Sequence, residues 1–210
     1  MKNSVLFLTI VFVVFGCSTG KYVSNYKQIK KTIDTLVIIS PLVVIDALNY
    51  KGEEITDNEL EDSVGIILTN KVSDLLQAKY VVKKDMSQRN YTKEEIEEFV
   101  SLFIKLKQLK NPISKLKFSN SIYINEGKYY LFVYLNGHYT IGVSPYETLG
   151  QGNSINLTPA RTANDEVGVL LLNNKKEVLY FNSVFSANDP RLKELVERDL
   201  MKVIKSIYYK

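Results

Sequence analysis

One cysteine and one histidine are all the thiol and imidazole chemistry the chain possesses. Cys17 has no partner for an intrachain disulfide, and Cys17 with His138 cannot assemble a Cys/His zinc site. As a general base, His138 needs a nucleophile and an orienting acid. The chain holds no Gly-x-Ser-x-Gly elbow, so His138 reads as a structural or exposed residue after an Asn136-Gly137 turn. Gly150-Gln151-Gly152-Asn153-Ser154 is rich in glycine. A phosphate loop would end in Gly-Lys-Ser/Thr, and a dinucleotide turn would follow a strand and open a helix. Neither context is present, and the segment reads as a loop. Glu94, Glu95, Glu97 and Glu98 fall on the first turns of a helix, where the dipole favours them. Nothing selects two of them as a carbohydrate-cleaving pair across a cleft. No catalytic residue, metal or cofactor is assigned.

Two groups of residues suit binding better than catalysis. Lys105, Lys107, Lys110, Lys115 and Lys117 lie in a stretch, residues 99–125, that contains no acid. They form either a solvated helix end or a patch for an anionic partner: lipid headgroups, lipopolysaccharide or an acidic protein. Tyr123, Tyr129, Tyr130, Phe132, Tyr134, Tyr139 and Tyr146 crowd one region. Strands favour aromatics in the core, but alternating members such as Tyr130 and Tyr134 could present a binding face.

Composition narrows the setting. The 210 residues (24.0 kDa) are 45% hydrophobic and 24% charged, with a mean hydropathy of −0.08. Those values fit one globular domain and argue against both wholesale disorder and a polytopic membrane protein. A net charge of +4 is too mild for a dedicated nucleic-acid binder.

The first residues read as an address. Lys2 supplies a positive start, and Val5 to Phe15 is apolar except for Thr9. That run is about half the ~20 residues needed to span a bilayer, and has the order of a secretory signal peptide. Val14-Phe15-Gly16-Cys17 resembles the bacterial lipobox, although Phe15 is bulkier than the pattern usually carries. The resemblance implies that Cys17 becomes the first residue of the mature protein, as a thioether carrying diacylglycerol. A further palmitate-type chain on its amine would complete a stable anchor. Ser18-Thr19-Gly20 follow, with no acid before Asp34. By the same resemblance, the expected location is the periplasmic face of the outer membrane. The expected organisation is a signal peptide over 1–16, lipidated Cys17 and tether over 17–33, and one domain over 34–210.

Those chemistry-bearing residues need a scaffold. Thr35–Ile39 and Leu42–Ile45 predict a strand interrupted by Pro41. Thr56-Asp57-Asn58-Glu59 and Thr92-Lys93-Glu94-Glu95 read as capping boxes. The first opens a helix facing inward through Leu60, Val64, Ile67, Leu68, Val72, Leu75 and Leu76. The second opens one with a stripe of Ile96, Phe99, Val100, Phe103, Leu106 and Leu109, stopped at Asn111-Pro112. Between them Tyr80-Val81-Val82 is a short strand. Ser121–Ile124 and Tyr129–Leu135 are strands; Asn136-Gly137 predicts a hairpin returning through His138–Ile141. Residues 142–165 lack a period. Val167–Leu172 and Val178–Phe185 flank the turn Asn173-Asn174-Lys175-Lys176. Asp189-Pro190 opens a last helix with Leu192, Leu195, Val196, Val203, Ile204 and Ile207 inward. The expected fold is α/β: a single mixed sheet with about three helices packed on one face.

The first strand, the capped helix ending in Leu75-Leu76 before Tyr80-Val81-Val82, the hairpin through Asn173–Leu179 and the closing helix resemble the periplasmic amino-terminal domain of TolB and CsgG-like lipoproteins. The resemblance is one of element order and covers about two thirds of the mature chain. The implied function is a lipid-anchored binding, adaptor or assembly module of the cell envelope. Its partner would be another envelope protein or an anionic envelope component, and not nucleic acid. The alternative is an envelope hydrolase acting on a cell-wall or glycan substrate.

Overall fold

The computed structural model describes residues 20–49, 51, 53–85, 91–113, 116–118, 128–142 and 163–208. The described elements, in chain order, are β1 (Lys21–Tyr22), α1 (Tyr26–Thr32), β2 (Thr35–Ile38), β3 (Leu42–Leu48), β4 (Glu54–Thr56), α2 (Asn58–Leu76), β5 (Val81–Lys84), α3 (Lys93–Gln108), β6 (Tyr129–Thr140), β7 (Asn164–Asn173), β8 (Val178–Ser186) and α4 (Lys193–Tyr208). The α/β class with one mixed sheet is as expected from the sequence. The sheet has eight strands, with the main order β1-β8-β7-β6-β2-β5, while β3 lies between β6 and β4.

β6 is the central strand. It pairs antiparallel with β7 along almost its whole length, and parallel with β2 and then β3 on its other side. The register explains why β2 and β3 are separate. Ile38 faces Leu131 and Leu42 faces Tyr134, so four steps along one strand match three along the other. The extra residue falls at Ser40-Pro41, where proline has no ladder hydrogen to lose.

The sheet is covered on both faces, which corrects the one-face expectation. α2 and α4 lie on one side: Lys71 of α2 pairs with Glu197 of α4 at 2.7 Å, and Tyr180 of β8 donates to Val203 O at 3.2 Å. α3 lies on the other, with Phe99 stacked on Phe132 at 4.1 Å and Phe103 edge-on to Phe181 at 5.2 Å. Physically this follows from β6 itself. Tyr130 through Leu135 are buried without alternation, and a strand apolar on both faces needs cover on both.

Four further expectations give way. No hairpin forms at Asn136-Gly137, because β6 runs straight through to Thr140. A Cβ on Gly137 would lie 3.1 Å from Asn164 O and 3.2 Å from Pro190 Cβ, so the glycine serves close approach rather than a turn. The cap of α2 is Asp57, which accepts from Leu60 N at 3.1 Å; Thr56 ends β4. Val100 points outward and Leu195 is half-buried, while Leu102 and Leu200 take inward positions. Residues 21–32, expected in the tether, carry β1 and α1. Tyr26 is buried and stacks on Tyr180 at 5.2 Å, so apolar burial draws this stretch into the domain. The capping box at Thr92 and Glu95 and the Asn173–Lys176 turn are present. The expected strand 121–124 and most of the loop 142–165 lie outside the described residues; Asn164 and Asp165 of that loop belong to β7.

Candidate binding surface

The first described residues meet the end of α3 at the sheet edge. β1 is the edge strand and pairs antiparallel with β8. Asn111 then locks β1 to α3 from both sides: its Nδ2 donates to Gly20 O at 3.0 Å, and its Oδ1 accepts from Tyr22 N at 3.0 Å. Ile113 N donates to Tyr22 O at 2.9 Å. Lys21 Nζ donates to Leu109 O, placing a cation at the carbonyl end of α3, where the helix dipole favours it. The sequence signals for this joint were Asn111-Pro112 as a helix stop and the polar character of 18–33; neither says that the two segments meet.

The lysines predicted to bind a partner do not act as one group. Lys105 and Lys110 are exposed on the last turn of α3 and just beyond it. Lys107 is committed to Glu166, 2.6 Å away, across to β7. Lys117 is exposed in a single antiparallel bridge to Glu177. Lys115 lies outside the described residues, as does Cys17.

The tyrosines predicted as a binding face are core. Tyr130 is 3% and Tyr134 4% exposed, and Phe103 of α3 lies 4.5 Å from the Tyr134 ring. Burial raises both hydroxyl pKa values above the ordinary tyrosine range; the Glu166 carboxylate adds to the effect at Tyr134. Alternation along β6 does place them on one face, but α3 covers it.

A polar network missed by the sequence analysis closes the other end of the sheet. Tyr139 donates to Asp57 Oδ2 at 2.6 Å while Asp57 Oδ1 caps α2. Burial and then this hydrogen bond push the Tyr139 hydroxyl up to about 12. Arg191 lies over the Tyr139 ring at 4.3 Å and holds the buried Asp189 with two nitrogens, at 2.9 and 2.7 Å. His138 is in β6, paired with Asp46 on one side and Asn164 on the other; its Nε2 is 3.3 Å from Asn164 Nδ2. These groups satisfy one another and hold α2 and the start of α4 against β6. Their positions in the chain run from 46 to 191, and no short spacing could have announced them.

A shallow, open depression of about 280 Å³ is lined by Ile29, Lys128, Tyr129, Asn173, Asn174 and Leu179. Among the described residues no three His, Cys, Asp or Glu side chains are grouped to hold a metal ion, and no helix is long and apolar enough to cross a membrane.

No family model and no curated protein matches the chain. Among solved structures, the chain is similar to two PelC dodecamers from Paraburkholderia phytofirmans, one of them a single-substitution variant. The variant is 12% identical, with 85% of this chain and 90% of its own covered and a TM-score of 0.42. The other is 13% identical, with 85% and 89% covered and a TM-score of 0.41.

Proposed function

We propose that this chain is a cell-envelope lipoprotein, acylated at Cys17 and facing the periplasm from the outer membrane. In this reading it works by binding, as an adaptor or assembly module, and not by catalysis. The observation that carries the reading is the joint between Gly20 and Asn111. It couples the residues next to the anchoring cysteine to a folded domain through the edge of its sheet, so that acylation would fix the whole domain on the membrane. The strand, capped helix, hairpin and closing helix behind the resemblance to the TolB and CsgG-like domains are all elements of this sheet or pack on it, and the envelope role itself rests on the lipobox resemblance at Cys17.

A domain held at a membrane meets its neighbours at high effective concentration, so modest surface contacts suffice for partnership. The test is metabolic labelling with a fatty acid. Native chain incorporates the label and stays in the membrane fraction, whereas Cys17→Ala does neither. A Cys17→Ala chain that still takes up label would overturn the anchor. Crosslinking in the envelope then identifies the partner; a native chain that crosslinks to no envelope protein or component would overturn the binding role.

A further inference from the structure

We infer that the basic corner formed by Lys21, Lys105 and Lys110 rests on the anionic headgroups of the membrane that carries the anchor. This deepens the proposed function and rests on acylation of Cys17. Three peptide links separate Cys17 from Gly20, so their Cα atoms are at most about 11 Å apart. Gly20 is bonded to Asn111, the neighbour of Lys110, and Lys21 follows Gly20 directly and reaches the last carbonyls of α3. An anchor at Cys17 therefore brings this corner to the headgroups at a distance comparable with the ~8 Å screening length of physiological salt.

Charge is graded in the same sense. Residues 20–33 contain Lys21, Lys27, Lys30 and Lys31 and no acid. Lys27, Lys31, Lys105 and Lys110 are exposed. The acids of α3, Glu94, Glu95, Glu97 and Glu98, are toward its opposite end, about 10–16 Å from Lys105 along the axis at 1.5 Å per residue. Lys107 is withheld from the corner by Glu166. An anionic lipid surface is the occupant that chain length and charge together favour, over an acidic protein that would reach the corner from solution.

The experiment uses the native full chain, purified from membranes and reconstituted. A free-thiol assay on the otherwise unaltered chain comes first: a thioether at Cys17 leaves no thiol. Gln108→Cys then supplies a single site at the corner for a fluorophore. Quenching from the lipid headgroups is read on vesicles of phosphatidylcholine alone, or of phosphatidylcholine with phosphatidylglycerol as the minority lipid. Strong quenching is expected on the anionic vesicles. It should fall to the neutral-vesicle level in ~1 M salt, where screening shortens to about 3 Å. Lys105→Glu with Lys110→Glu should shift the docked-to-undocked ratio by at least ~25-fold, about fivefold per lysine. Lys83→Glu, on the opposite edge strand β5, should leave it unchanged. No free thiol together with quenching indifferent to anionic lipid and to salt overturns the basic corner and leaves the anchor standing. A free thiol at Cys17 overturns the anchor and this inference with it. The lipid and salt comparisons need no charge variant, so misfolding of the double variant would not remove the test.

Discussion

Asp165 and Asp199 share one hydroxyl. Ser186 Oγ lies 3.0 Å from Asp165 Oδ1 and is also hydrogen-bonded to Asp199 Oδ2. Both carboxyls are fully buried between β7, β8 and α4. A serine has one proton to donate, so it cannot satisfy two carboxylates at once. Asp199 has other donors, Lys202 Nζ at 2.5 Å and Asn188 Nδ2, whereas Asp165 Oδ2 has no hydrogen-bond partner among the described residues. Asp165 is accordingly the member that keeps its own proton and donates it to Ser186, which donates onward to Asp199. Burial, and next the Asp199 charge, raise Asp165 to about 7.

The pH dependence follows in sign. Between about pH 4 and 7 the folded state holds a proton that the unfolded chain has released. The contribution of Asp165 to stability is therefore fully present below about pH 4 and is lost as pH rises through about 7. Asp165→Asn keeps the shape and a donor but removes the titration. Its denaturant midpoint should fall less than that of the native protein between pH 4 and 8, and it should be the more stable of the two at pH 8. Parallel curves for the two proteins would show that Asp165 is ionised in the fold.

Tyr26 separates burial from hydrogen bonding. Its ring stacks on Tyr180, but its buried hydroxyl has no partner among the described residues, and burial raises its pKa beyond the ordinary range. Leaving a hydroxyl unpaired costs about 1–3 kcal/mol, so Tyr26→Phe should be neutral or stabilising. Tyr26→Ala removes the ring that ties α1 to the sheet and should cost about 3–5 kcal/mol. Thermal melts of the two variants decide it. Equal and small effects would mean that residues 20–33 are the tether read from sequence.

That segment shows what sequence pattern could and could not reveal. α2, α3 and α4 were legible because each repeats its apolar residues at helical spacing over four or more turns. Of the expected starts only the α3 capping box is as read, since Asp57 caps α2 and α4 begins at Lys193, past Asp189-Pro190. α1 is a seven-residue helix in which only Tyr26 and Ile29 are not plainly polar. It is held mainly by one tyrosine against a strand more than 150 residues away, a contact no local window contains. The Asn136-Gly137 dipeptide failed for the opposite reason. Its local turn preference is real, but ten paired residues between β6 and β7 outweigh it. For the binding residues, the lysine run was visible as charge, while its division by the Glu166 pair depends on strand register. Tyr130 and Tyr134 were rightly placed on one face of a strand; which helix covers that face is a tertiary fact.

The closing contact of α3 makes the last prediction. Gly168 of β7 lies opposite Tyr134 and beneath Phe103. A Cβ there would fall 2.7 Å from Phe103 Cε1, closer than carbon atoms approach. Phe103 is also packed against Phe99, Tyr134 and Phe181, and has little room to withdraw. Gly168→Ala should therefore destabilise by about 1–3 kcal/mol through overpacking. The source of the cost can be isolated with a second change. Phe103→Leu loses aromatic packing on its own account but vacates the space above Gly168. In that background Gly168→Ala should cost at least ~1 kcal/mol less than in the native protein, a coupling of the size expected for residues in contact. Urea unfolding of the four proteins in the cycle supplies the number. Strictly additive effects would mean that the ring does not press on Gly168 and that α3 docks on this face by other contacts.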